Sequence, residues 1–200
     1  MDKNERPVPE ALIDEYRYAL VDDPWWYECI VDDWVERMEH RGVTIETARD
    51  RPKVYWDQYF NMEIAAYIGP FVWESVIEWG DFDDCPFFVA LVKAGGAGTY
   101  SCDTTHHYYE KGFDGADFLE AGMDEDESAY QILQPGLDAE LSTVEDKLDD
   151  LFGDAFHEIA NELKNEIDHL TSDETIADWI RDCNPEWIDE WEEEHAQEAA

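Results

Sequence analysis

The sequence predicts an α+β fold: a small antiparallel sheet packed with N-terminal and C-terminal helices, one of them long, acidic and amphipathic. Three observations lead there. Trp26, Ile30, Trp34 and Met38 form an i,i+4 apolar seam near the N-terminus. A middle stretch is rich in aromatic and β-branched residues, the composition of strands. Near the C-terminus, Leu141, Val144, Leu148, Leu151, Ala155, Ile159, Leu163 and Ile167 repeat at helical spacing beside a row of acids.

In chain order, residues 1–9 form a polar, proline-marked flexible arm. A helical pattern from Glu10 to His40 is interrupted at Pro24, where Asp22 or Asp23 caps the second helix and Pro24 occupies its first turn. Gly42 ends that helix. Glu28, Asp32, Glu36 and Glu39 give it an acidic face opposite the seam. Lys53 to Tyr59 and Met62 to Ile68 read as two strands bounded by Gly69-Pro70. Phe71 to Trp79 reads as a short helix closed by Gly80. Pro86 to Val92 is a continuous apolar run of strand length. With the turn at Gly95-Gly96-Ala97-Gly98, it forms the first arm of a hairpin whose second arm is Thr99 to Tyr109. Residues 112–136 form a connection with a short strand at Tyr130 to Leu133. Asp138 or Ser142 then caps the long helix. Thr171-Ser172-Asp173 breaks that helix and caps another that runs to Cys183, and Asn184-Pro185 opens a last segment. The expected organisation is a single α+β domain over 10–183 and an acidic C-terminal segment over 184–200.

Charge dominates the composition. The 200 residues hold 52 acids and 13 bases, a net −39, against a magnitude of about 2–8 for an ordinary small domain. Nine Trp, ten Tyr and nine Phe supply a core and argue against disorder. Residues 120–200 hold 27 acids and 3 bases, and residues 1–119 hold 25 and 10. Such a field repels nucleic acid and anionic membrane and attracts a strongly basic surface. Adaptation to high salt is the rival explanation. No apolar run reaches the roughly 18 residues of a membrane span. The cysteines at 29, 85, 102 and 183 include no C-x-x-C pair and read as reduced, cytosolic thiols.

The acids of the long helix carry the sharpest signal. Asp146, Asp150, Asp154, Glu158, Glu162 and Glu166 stand four residues apart, about 6 Å per step along a helix. Each like-charged i,i+4 pair opposes folding by about 0.2–0.5 kcal/mol, so the row asks for a functional explanation. Asp149 on the same helix and Glu192-Glu193-Glu194 near the C-terminus extend the surface. A DNA strand carries a charge every 3.4 Å or so, so the row alone is too sparse to imitate a duplex and needs acids from neighbouring helices.

No catalytic constellation stands out. The glycine-rich turn lacks the Lys-Ser/Thr of a phosphate-cradling loop. Alternation puts Cys102 and His106 on one face of a strand and His107 on the other, short of the four ligands of a structural zinc site. Asp81, Asp83 and Asp84 lack the central Gly and terminal Glu of a calcium loop. No cofactor, metal or enzymatic activity is expected.

Pro24-Trp25-Trp26-Tyr27 leading to Asp32-Asp33, the strand pair Val54-Tyr55-Trp56 and Glu63 to Gly69, and the ending Leu170-Thr171-Ser172-Asp173-Glu174-Thr175-Ile176 carry a resemblance. From Trp25 onward the chain resembles small acidic proteins of bacteriophages and prophages labelled antitoxin-like. It departs from them after the first strand, where Gln58 to Met62 contain no Gly and Ala66 replaces an expected Cys. By composition it is similar to phage anti-restriction and anti-CRISPR proteins that imitate DNA. That likeness implies an inhibitor in the bacterial host cytoplasm, acting on a basic nucleic-acid-binding host protein and not on nucleic acid itself. The ten acids named above would be its contact residues. An antitoxin that neutralises a basic toxin through shape and aromatic contacts is the alternative, and a halophilic protein the third.

Overall fold

A computed structural model describes residues 6–22, 25–57, 63–66, 68–93, 99–105, 108–114 and 127–198, with side chains at 6–22, 25–54, 66, 71–90, 92–93 and 135–196. The described chain is mostly helical, with short antiparallel strand pairs in its middle. It divides into two compact units. Met1–Cys29 with Asn161–Ala200 make a terminal unit, and Ile30–Ala160 make a central one.

Helix α1 (Glu10–Tyr16) opens the terminal unit and α2 spans Trp25–His40. The interruption between them is wider than the proline predicts, since Arg17 to Asp22 already form turns. There the Trp26 indole N–H donates to the Val21 carbonyl at 3.2 Å. Asp22 lies outside both helices, and Asp23 and Pro24 lie outside the described residues. Trp26, Trp34 and Met38 are buried as the seam predicts. Gly42 ends α2 with φ +82°, a conformation open to glycine. A Cβ there would also stand 2.6 Å from the Val72 carbonyl oxygen.

Strands β1 (Val43–Ile45), β2 (Thr47–Ala48), β3 (Arg51–Pro52), β4 (Val54–Asp57), β5 (Glu63–Ala66) and β6 (Ile68–Phe71) follow. The two strands expected between Lys53 and Ile68 are found as β4 and β5, paired Val54↔Ala66 to Asp57↔Glu63. In place of one sheet, the strands form separate two-stranded ladders: β1–β6, β2–β3, β4–β5 and, further on, β7 (Thr99–Thr105) with β8 (Tyr108–Asp114). The β2–β3 turn places Arg49 and Asp50 at φ 55° and 63°, the left-handed pair that a two-residue hairpin requires.

Helix α3 is Trp73–Trp79, two residues shorter than the expected Phe71 to Trp79 because Phe71 ends β6. The next expectation fails. Pro86 to Val92 is not a strand but helix α4, Pro86–Lys93. A short apolar run looks the same in a buried strand and a buried helix. Here Phe88 and Val92, four apart, point into the core. The Glu140 carboxylate accepts from the first-turn amides of Phe87 (3.2 Å) and Phe88 (2.9 Å). A carboxylate satisfies the open N–H groups of a helix start and its dipole. The expected first arm is therefore a helix, and β7 instead pairs with β8, from Thr99↔Asp114 to Thr105↔Tyr108.

The long helix α5 runs Glu127–Leu170, about three to four turns earlier than the expected caps. Asp138 and Ser142 lie inside it, and so does the segment Tyr130 to Leu133 expected as a strand. Pro135 within the helix cannot donate to residue 131, which is why the sequence reads as a later start. Beside it, Gly136 lets the Phe87 ring approach, since a Cβ would fall 2.6 Å from three ring atoms. Val144, Leu148, Phe152, Ala155 and Ile159 form the buried row of α5 in the central unit. Each large apolar side chain so buried contributes about 1.5–3 kcal/mol. Phe152 meets Phe71 at 5.6 Å and Trp79 at 5.9 Å, and the Trp34 indole N–H donates to the Ala155 carbonyl at 3.0 Å. Leu141 and Leu151, expected in that row, are only half-buried.

In the terminal unit Ser172 caps α6 (Asp173–Cys183), its hydroxyl accepting from the Thr175 amide. Asn184 and Pro185 lead into α7, a 14-residue helix at Pro185–Glu198. Leu12, Ile13, Ile176, Ala177, Ile180 and Ile188 form the core, with Val8, Tyr16, Trp179, Trp187 and Trp191 against it. Tyr16 stacks on Trp187 at 4.2 Å.

Candidate functional site

An α-helical i,i+4 row turns about 40° per step, so a row of six acids cannot stay on one face. On α5 the consequence is visible. Asp146, Asp150 and Asp154 are exposed, roughly opposite the buried row of Val144, Leu148, Phe152, Ala155 and Ile159 by helical-wheel geometry. None of the three forms an ion pair among the described residues. Glu145 beside them is exposed and Asp149 is half-buried. The next step, Glu158, has turned toward the protein and is half-buried. Its Oε1 lies 2.9 Å from Arg37 Nε and its Oε2 2.9 Å from Arg41 Nη1. Arg41 also lies over the Trp79 ring at 5.0 Å. Glu158 is therefore a structural anion. In the terminal unit, Glu162 and Glu166 at the end of the row are half-buried as well.

Other acids of the central unit are exposed on α2 (Asp32, Asp33, Glu36, Glu39) and α3 (Glu74, Glu78). The Asp81–Asp84 turn, considered above as a calcium loop, holds an internal cation. Lys147 Nζ donates to the Asp81 carbonyl at 2.6 Å and lies 2.9 Å from Asp84 Oδ1. The lysine holds the Asp84 carboxyl below its ordinary value, and Asp84 raises that of Lys147. Burial pushes the adjacent Cys85 thiol up to about 11. That thiol is consequently neutral and poorly nucleophilic.

The terminal unit treats its acids differently. Arg6 spans Asp189 (2.5 Å) and Glu192 (2.7 Å) on α7. Arg17 joins Asp14 (2.5 Å) to Asp173 (2.7 Å) and donates to the Thr171 carbonyl. Arg181 pairs with Asp178. Of the C-terminal acids, Glu192 is thus engaged, whereas Glu193 and Glu194 are exposed without an ion pair among the described residues.

Sequence reasoning missed the arginine partners of Glu158 and Glu192, which lie more than a hundred residues away. The only local hint was the basic pair Arg37 and Arg41, four residues apart, in the last turn of an otherwise acidic helix and just past its end. No group of three or more His, Cys, Asp or Glu able to hold a metal occurs among the described residues. The Cys102 side chain, His106 and His107 lie outside them. Among the described residues, no helix is long and apolar enough to cross a membrane. No protein-family model, no curated protein and no solved structure significantly matches the chain.

Proposed function

We propose that this protein is a non-enzymatic inhibitor whose acidic helices imitate the phosphate array of nucleic acid and occupy the basic site of a nucleic-acid-binding protein. The bare, exposed row Asp146, Asp150 and Asp154 carries the reading. Like charges 6 Å or so apart oppose folding, and among the described residues no ion pair relieves them. Their charge is therefore available to a partner. Asp149, Glu145 and the exposed acids of α2 and α3 supply further charge in the same unit. Binding gains free energy by releasing counterions from both surfaces and so weakens with salt. The anti-defence setting, with a bacterial restriction or CRISPR effector as target, rests on the compositional likeness to phage DNA mimics.

The test is inhibition of DNA binding by a panel of such effectors across a salt series. Inhibition should compete with DNA and fade as salt rises. The triple variant D146K/D150K/D154K should lose at least about tenfold in affinity while remaining folded. Undiminished inhibition by that variant, or inhibition indifferent to salt, would overturn the proposal.

One observation favours the antitoxin-like alternative. Tyr18 and Trp25 are 64% and 62% exposed, and aromatic side chains commonly anchor protein interfaces. Under that reading Trp25→Ala abolishes binding and the triple variant does not.

A further inference from the structure

The N-terminal arm of the terminal unit is fastened by charge. Arg6 places one guanidinium nitrogen on Asp189 and the other on Glu192, acids one turn apart on α7 and hence neighbours on its surface. The Arg6 carbonyl accepts from Arg181 Nε on α6 at 3.0 Å, and two residues on, Val8 packs against the apolar cluster of Leu12, Ile13, Ile176, Ala177, Ile180 and Ile188. The chain's own Arg6 is thus held by α6 through its carbonyl and by α7 through its guanidinium, as a bound arginine would be. The fastening is loose. Side-chain exposure is 30% for Arg6, 65% for Asp189 and 54% for Glu192, the regime in which ion pairs contribute little and salt screens them.

We propose that Asp189 and Glu192 form a guanidinium-binding pair for arginines of the basic partner, and that Arg6 is an intramolecular competitor that occupies it until displaced. This rests on the proposed function for its biological sense, but the chemistry is local. An arginine-rich segment offers the same planar fork to the same two carboxylates. Val8 keeps the arm near its seat, so Arg6 returns at high effective concentration once the partner leaves. Arg6 therefore lowers the affinity of the surface and restricts it to partners dense enough in arginine to compete.

Arg49 supplies the control, because it is exposed and forms no ion pair among the described residues. R6Q and R49Q each remove one positive charge, but only R6Q unmasks a carboxylate pair. The measurement is calorimetric titration with an oligo-arginine peptide at low salt and at about 1 M salt, where the Debye length is about 3 Å. R6Q should bind about threefold more tightly than the natural chain, R49Q should change affinity by distinctly less, and the R6Q gain should vanish in high salt. Adding D189N/E192Q to R6Q should erase the gain. Equal gains in R6Q and R49Q would reduce the effect to net charge and overturn the competitor, as would weaker binding by R6Q. The two proposals fail separately. A gain in R6Q with no inhibition of any nucleic-acid-binding protein sinks the proposed function alone, and inhibition without the R6Q gain sinks the competitor alone.

Discussion

The α5 stretch Asp146 to Asp154 and the α6–α7 helices are built from the same acids and put them to different use. In the first, three aspartates are exposed without an ion pair among the described residues. In the second, Arg6, Arg17 and Arg181 tie acids of α1, α6 and α7 together. With only 13 bases for 52 acids, the placement of the cations decides which anions remain available. The terminal unit spends arginines on joining its chain segments. Around the α5 row the bases stand at the margins instead, Lys147 in the Asp81–Asp84 turn and Arg37 with Arg41 on Glu158. Among the described residues the exposed row is thus left without an ion pair, and that is more informative than the net charge.

A bare row needs a firm back, and the largest expected effect tests it. Trp34 is fully buried and its indole N–H holds the Ala155 carbonyl. W34A should destabilise the protein by about 3–5 kcal/mol, the range for truncating a large buried aromatic, as read by urea unfolding. A cost below about 1 kcal/mol would mean that the exposed row does not depend on this packing.

A smaller effect separates paired from bare acids within the same row. E158Q removes the anion that Arg37 and Arg41 share. All three side chains are about one-third exposed, so solvent screening limits the loss to about 1–2 kcal/mol. Partner binding should hardly change, because the charge of Glu158 is already balanced. If E158Q weakened inhibition as much as a substitution at Asp150, the distinction between structural and available acids would collapse.

Much of this was readable from residues alone, for identifiable reasons. The seam of α2, the stop at Gly42 and the break at Thr171–Asp173 are local signals, set by side-chain period, positive φ and a capping hydroxyl. Helix α4 was not readable as such, because its apolar run fits either period and its N-terminal carboxylate comes from Glu140, more than fifty residues away. Pro135 concealed the true start of α5. The acid row was legible as a spacing, and its rotation out of solvent follows from 3.6 residues per turn. What spacing could not supply was which acids had partners. Arg37, Arg41 and Arg6 reach Glu158 and Glu192 only through the fold.

The smallest effect is the one that bears most directly on why the row exists. Asp150 has Asp146 and Asp154 one turn to either side, so D150N relieves two like-charge pairs and should stabilise the protein by about 0.4–1 kcal/mol at low ionic strength. In about 1 M salt the screening length falls to about 3 Å, shorter than the 6 Å or so between successive steps, and the gain should disappear. The same variant should bind the basic partner less well at low salt. Stability and binding then move in opposite directions at one residue, the pattern expected where an acid is retained for function at a cost to folding. Salt adaptation predicts no loss of binding at all. If D150N proved destabilising at low salt, Asp150 would belong with Glu158 among the structural anions, and the bare row would shrink to its two remaining members.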